Sequence, residues 1–180
     1  MTPDQYLLLK AKVAATEHVR DIQWAADLAP VENPENFACE AIFVIINSGM
    51  KAQIARPIFD RVMDALSDGG SAAEVFGHPG KAGAIQTIWE CRDALFQGFL
   101  GSKDKLLFCE SLPWIGPITK YHLAKNLGIE CVKPDRHLVR ISEKSGETPE
   151  GLCRRISDAT GDRLVVVDTV IWRAANLGWA

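Results

Sequence analysis

The chain has 180 residues, 47% of them hydrophobic, with a formal net charge of -3 at pH 7 and a mean hydropathy near zero. That is enough for one well-buried core or two small lobes. The most apolar run, residues 41–46, is far shorter than the roughly 20 residues a membrane span needs. The amino-terminal stretch from Tyr6 to Ala15 is amphipathic and interrupted by Lys10 and Lys12, unlike a secretion signal. Cys39, Cys91, Cys109, Cys131 and Cys153 are odd in number, widely spaced and free of any C-x-x-C pair. This argues against a disulfide framework and for a reducing, cytoplasmic compartment.

Thr2-Pro3-Asp4 starts a helix with an N-cap and a first-turn proline, and Tyr6, Leu7, Leu9, Val13 and Ala14 lay an apolar stripe along it to about Glu17. Ala29 to Glu32 reads as a loop. Asn33-Pro34-Glu35 repeats the capping logic and opens the most buried-looking helix, Phe37 to Asn47, stopped by Ser48-Gly49. Met50 to Leu66 is helical up to the terminator Ser67-Asp68-Gly69-Gly70. Ser71-Ala72-Ala73-Glu74 is a capping box on a short helix that ends at Gly77-His78-Pro79-Gly80. The spacing of Ile85, Ile88, Trp89, Leu95 and Phe96 then predicts one long helix from Lys81 to Leu100.

An apolar helix end at Leu106, Leu107, Phe108 and Leu112 runs into Leu112-Pro113-Trp114-Ile115-Gly116-Pro117-Ile118-Thr119. The segment is a tight Pro-x-x-Gly turn into a second helix, with Pro117 where a missing N–H is tolerated. Residues 106–126 thus form a helix-hairpin-helix. Gly116 has no Cβ, so a phosphate can approach the main chain and be held by the free N–H groups and positive dipole end of the next helix. Such a clamp binds DNA without reading bases. Nineteen positions after Gly116, Asp135 opens a helix within Val132-Lys133-Pro134-Asp135-Arg136-His137-Leu138. Thr148-Pro149-Glu150 caps a further helix ending at Thr160-Gly161, and Arg163 to Asn176 makes the last.

Nine or ten helices result. Leu164 to Val167 is the one doubtful segment, a β-branched run with the composition of a strand, and an all-α fold is expected. Between residues 101 and 145 eight Lys or Arg stand against five acids, a local +3 in a chain of -3, concentrated around the hairpin. This positive charge has two readings, phosphate contact or a solvated helix face carrying Lys120 and Lys125. His78, His122 and His137 with the five cysteines show no metal-binding spacing, and no glycine-rich nucleotide loop exists.

The pattern L-P-x-I-G-P-x-T followed by V-K-P-D-R-H-L resembles the helix-hairpin-helix DNA glycosylase superfamily, with its Gly-Pro and Asp signature. The resemblance implies an all-α, two-lobed unit over residues 1–180: one lobe of about 33–128 carrying the hairpin, another of about 1–32 plus 129–180, with a DNA and base cleft between. It implies a glycosylase that flips a base and hydrolyses its N-glycosidic bond. Asp135 would face the sugar as it gains oxocarbenium character, a need that carboxylates meet; read on its own, the same residue is a helix N-cap. Trp114, Gly116, Ile118, Thr119 and Lys120 would meet the DNA backbone. Relatives that also nick the strand carry a lysine where this chain has Ile118, so a water nucleophile and a monofunctional enzyme follow.

Some relatives bear a four-cysteine iron-sulfur cluster near the carboxyl end. Only Cys153 lies there in this chain, so neither cluster, metal nor cofactor is expected. The extruded base needs a pocket of aromatic or polar side chains. Trp24, Glu40 and His137 are candidates, and Trp172 and Trp179 are further aromatics, while Phe37 and Trp172 sit at helical spacing that favours packing. Asn47 and Met50, in the loop after the buried helix, are candidate wedges for the gap left in the stack. The expected partner is double-stranded DNA with a damaged or modified base, bound by a nucleoid-associated monomer. Alkylated purines, oxidised guanine, mismatched thymine or adenine and hypermodified phage pyrimidines all fall within the family's repertoire. The alternative is a helix-hairpin-helix module that binds DNA without chemistry.

Overall fold

Four helices of the chain start on one device, a capping side chain followed by proline: Thr2-Pro3, Asn33-Pro34, His78-Pro79 and Thr148-Pro149. The side chain takes a first-turn N–H and the proline sits where none is needed. The computed structural model describes residues 1–180 and contains helices only: α1 (Pro3–Ala14), α2 (Val19–Asp27), α3 (Pro34–Asn47), α4 (Ala52–Ser67), α5 (Ala72–Val75), α6 (Pro79–Glu90), α7 (Arg92–Gly101), α8 (Lys105–Ser111), α9 (Thr119–Asn126), α10 (Arg136–Glu143), α11 (Pro149–Thr160) and α12 (Leu164–Asn176). The all-α fold stands as expected, and none of the helices is long and apolar enough to cross a membrane.

The count is twelve, above the expected nine or ten, for two reasons. The helix expected over Lys81–Leu100 breaks at Cys91, whose ψ is 9°. Arg92 Nη1 donates to the Trp89 carbonyl at 2.6 Å and its guanidinium lies over the Trp89 ring, so a carbonyl of the helical ladder is taken by a side chain. Also, α1 ends at Ala14, three residues early, because Thr16 Oγ1 donates to Val13 O and accepts from His18 N. The chain then re-enters a helix, α2, that no side-chain cap announces.

The chain forms two compact units, residues Met1–Ala29 with Gly128–Ala180, and Pro30–Leu127. The first is built around α12, whose Leu164–Ile171 are all buried. A stretch buried on every face must be enclosed by its neighbours, and α1, α2, α10 and α11 pack on it. The strand-like composition of Leu164 to Val167 therefore reflects burial and not extended structure. Buried Tyr6 donates to Asp162 Oδ2 at 2.7 Å, and Lys10 holds both oxygens of that carboxylate; burial and Asp162 push the phenol's pKa well up. Arg163 ties α2 to the start of α12 through the carbonyls of Ala26 and Leu28.

The second unit is built around α3, on which α4, α6, α7 and α9 pack. Phe37 is fully buried against Phe96 and Phe99, with ring centroids 6.1 and 5.4 Å away. It is core, as its helical spacing suggested.

Candidate nucleic-acid interface and carboxylate

The hairpin is made by α8 and α9, which pack on each other. Leu112 and Ile115 are buried and anchor the turn. Ile115 N–H donates to Leu112 C=O at 3.1 Å, closing a β-turn with Pro113 second and Trp114 third. Trp114 has φ 65°, alone among the non-glycine residues; type II turns give this place to glycine or asparagine. A bulky residue held there stores on the order of 1–3 kcal/mol of strain. Its ring rests on Gly80, where a Cβ would lie 2.6 Å from it, and meets His78 edge-on at 5.2 Å. Even so, Trp114 is 46% exposed.

Lys120 N–H donates to Gly116 C=O at 3.0 Å, so the helical ladder starts at Gly116 and Pro117 occupies its first position, although regular helix begins at Thr119. Gly116 N–H is already held by Thr119 Oγ1 at 2.7 Å. Pro117 has none. The N–H groups of Ile118 and Thr119 have no acceptor within the protein and stand at the positive end of α9. A Cβ on Gly116 would meet nothing closer than Thr119 Oγ1 at 3.9 Å, so the space above it is open. Ile118 is 47% exposed.

The hairpin's charge is largely used inside the unit. Lys120 pairs with Glu110 at 2.5 Å. Lys105 donates to the carbonyls of Phe99, Leu100 and Ser102 at 2.5, 2.9 and 2.8 Å, closing the end of α7. Lys125 is buried, 8% exposed, which corrects the reading of it as a solvated or phosphate-facing side chain. Lys103 stays exposed.

Asp135, in the other unit, is the N-cap of α10. Its Oδ1 accepts from His137 N at 2.8 Å and Leu138 N at 3.1 Å. Its Oδ2 has no partner in the protein. The cap thus fixes the carboxylate while leaving one oxygen for another task, so the two readings of this residue are compatible. Half-buried His137 follows on the same first turn, and Trp24, on α2, is 44% exposed. Trp179 lies under Lys12, 4.1 Å from its ring centroid, and Trp172 beside Arg173.

The remaining candidates belong to the hairpin unit. Glu40 accepts from Asn126 Nδ2 at 2.8 Å, joining α3 to the end of α9. Burial pushes its carboxyl above the usual range, opposed by the Asn126 bond and the charge of Arg56. The two wedge candidates part company. Asn47 Oδ1 is buried without a partner, so this side chain is turned inward, whereas Met50 is half-exposed in the loop. Gly49 takes φ 81° there, and Met50 N–H donates to Asn47 C=O.

Sequence reasoning missed Lys81. It is 6% exposed and donates to Ile46 O at 3.1 Å and Ser48 O at 2.5 Å. The signal existed: Lys81 shares a helical stripe with buried Ile85 and Ile88, a position where a lysine is out of place. No group of three His, Cys, Asp or Glu gathers where a metal ion could be held, and all five cysteines are free.

No family model and no curated protein matches this chain. Among solved structures it is similar to an 8-oxoguanine glycosylase/lyase of Methanocaldococcus jannaschii, crystallised in complex with a 15mer DNA containing 8-oxoguanine. The TM-score is 0.62 at 17% sequence identity, over 96% of this chain and 98% of that one. At that identity the likeness establishes the fold, an all-α DNA glycosylase fold.

Proposed function

We propose that this protein is a monofunctional DNA glycosylase of the helix-hairpin-helix superfamily, acting on double-stranded DNA that carries a damaged or modified base. The observation that carries the reading is Asp135: its Oδ1 is fixed by two main-chain N–H groups and its Oδ2 is unengaged. A carboxylate held rigid by one oxygen is preorganised, so it stabilises developing positive charge without reorganising when the charge appears. The similarity of fold to a protein solved with lesion-bearing DNA supports the same reading.

In this mechanism the open face of Gly116 admits a phosphate to the N–H groups of Ile118 and Thr119. The target base leaves the stack, and its C1′–N bond breaks with the electron pair departing on the base. Asp135 stabilises the oxocarbenium-like sugar and orients a water, whose oxygen bonds to C1′. One proton of that water is lost, the departing base takes up a proton, and the products are a free base and an abasic site. Ile118 offers no amine to attack the sugar. Lys120, the nearest lysine along the hairpin, is held by Glu110, in keeping with water as the nucleophile. Met50 serves as the wedge, and Trp24 and His137, in the same unit as Asp135, are the candidates to meet the extruded base.

The test is release of free base from duplexes carrying single defined lesions, together with phage DNA containing modified cytosine. Release by the native protein and not by Asp135→Asn supports the enzyme. Tight duplex binding by both with no release from any substrate establishes the non-catalytic binding module instead.

A further inference from the structure

Lys81 is a buried cation without a carboxylate beside it. Its ammonium instead meets two main-chain carbonyls, Ile46 O and Ser48 O, at the carboxyl end of α3. Enclosing a lone charge is costly, and burial lowers the affinity of Lys81 for its proton. A glycine at positive φ ends a helix without that cost, and Gly49 (φ 81°), just after α3, already does so, so Lys81 is not needed to stop the helix. The negative end of the α3 dipole offsets part of the cost, but it does not explain why a charge is placed at a position of the apolar stripe.

What Lys81 holds is the start of the loop Ser48–Lys51, in which Met50 is half-exposed. What lies beside Lys81 is Gly80, the seat of the Trp114 ring. The first turn of α6 therefore touches both the hairpin turn and the α3–α4 loop, all within one unit. A wedge must resist being pushed back as it enters a base stack. The loop's own main-chain bonds tie it only to its flanking helices, Ser48 N–H to Val44 C=O, Met50 N–H to Asn47 C=O, and Lys51 C=O to the N–H groups of Ile54 and Ala55; Lys81 ties it to α6.

We infer that Lys81 is a positioning residue that braces the α3–α4 loop on the first turn of α6, so that Met50 can enter the space left by an extruded base. This rests on the glycosylase reading above. The braced loop can be tested apart from it.

Lys81→Met keeps the length and apolar stem of the side chain but leaves Ile46 O and Ser48 O without a donor; Lys81→Arg retains donors. Without DNA, amide exchange over residues 47–51 should accelerate in Lys81→Met by roughly tenfold or more, the loss expected for a hydrogen bond from a charged donor, while the rest of the hairpin unit exchanges as before. With DNA, a mismatched duplex containing 2-aminopurine reports extrusion as a fluorescence rise. That rise should fall in Lys81→Met and in Met50→Ala, with no further fall in the double variant, and recover in Lys81→Arg, while affinity for undamaged duplex stays near the native value. A folded Lys81→Met with native exchange at 47–51 overturns the brace. Faster exchange with undiminished extrusion overturns its role in wedging. If Lys81→Met fails to fold, Lys81→Gln, which keeps only a shorter neutral donor, carries the same exchange and extrusion comparison, and native extrusion in Met50→Ala overturns the inference. A native protein that extrudes no base from any duplex refutes the glycosylase reading and the wedge with it, whatever the exchange result.

Discussion

The capping role of Asp135 can be separated from its proposed catalytic one, and the magnitudes follow from the cap. Asn at an N-cap accepts hydrogen bonds about as well as Asp, so Asp135→Asn keeps the bonds to His137 N and Leu138 N and loses only the charge. The charge–dipole attraction at a helix N-terminus is worth about 0.3–1 kcal/mol, and a kilocalorie moves the melting point of a chain this size by roughly 2–4 °C. Tm should fall by no more than about 4 °C. Asp135→Ala removes the acceptor as well and should cost about a further 1 kcal/mol. Excision should behave otherwise. Loss of the charge removes the preorganised stabiliser, and both variants should drop by roughly two to three orders of magnitude, about 2.7–4 kcal/mol of barrier. Single-turnover release of base with enzyme in excess, set beside thermal melts, measures both. If Asp135→Asn excises within about tenfold of the native protein, or if activity tracks Tm through the series, Asp135 acts as a cap alone and the proposed mechanism is wrong.

Ile118 should make the native enzyme silent to borohydride trapping on lesion DNA, and Ile118→Lys should yield a covalent adduct; efficient trapping of the native protein refutes water as nucleophile. Gly116→Val should bind all duplexes more weakly while remaining folded, because its Cβ meets nothing within 3.9 Å; native-like anisotropy titrations would show that the hairpin does not hold DNA. Lys120→Ala should change the slope of log affinity against log salt by well under one unit, since Lys120 is paired with Glu110, and a fall of about one unit would show it neutralising a phosphate. Glu40→Gln should raise Tm at neutral pH. The folded-state pKa of Glu40 is raised by burial, so the stability it contributes is full below the ordinary carboxylate range and is lost as pH rises through the raised value. The Tm advantage of the Gln variant should therefore widen from pH 4 upward, and a constant gap would contradict the sign of that shift.

Helix starts written as cap-plus-proline pairs were legible because cap and proline act on the residues beside them. So was the cap at Asp135, which opens α10 as its place in the sequence suggested. What escaped depended on side chains reaching across space. The break at Cys91 comes from Arg92 taking the Trp89 carbonyl, and nothing in the apolar periodicity of 81–100 marks that bond. The start of α2 has no cap to read. The strand-like run in α12 was ambiguous because period is lost once every face is buried. Charge counting misled most at the hairpin: Lys105, Lys120 and Lys125 contribute to the local +3, yet the fold places them on helix-end carbonyls, on Glu110 and in the interior.

That internal use of the lysines bears on how an acidic chain could hold DNA. Counterion release scales with the number of phosphates that cations neutralise. A hairpin whose lysines are engaged gains little from that source. Its remaining donors are neutral N–H groups at Ile118 and Thr119, backed by a helix dipole whose reach ends within a turn. Such donors act on a phosphate at contact distance and contribute little at long range. Affinity for undamaged duplex should accordingly be modest and weakly salt-dependent, with tight binding appearing only when a base has been extruded and Met50 adds its contact. Trp114 fits this arrangement. Held at φ 65° and half-exposed beside the clamp, it offers DNA an uncharged aromatic surface at the place where a cation is missing.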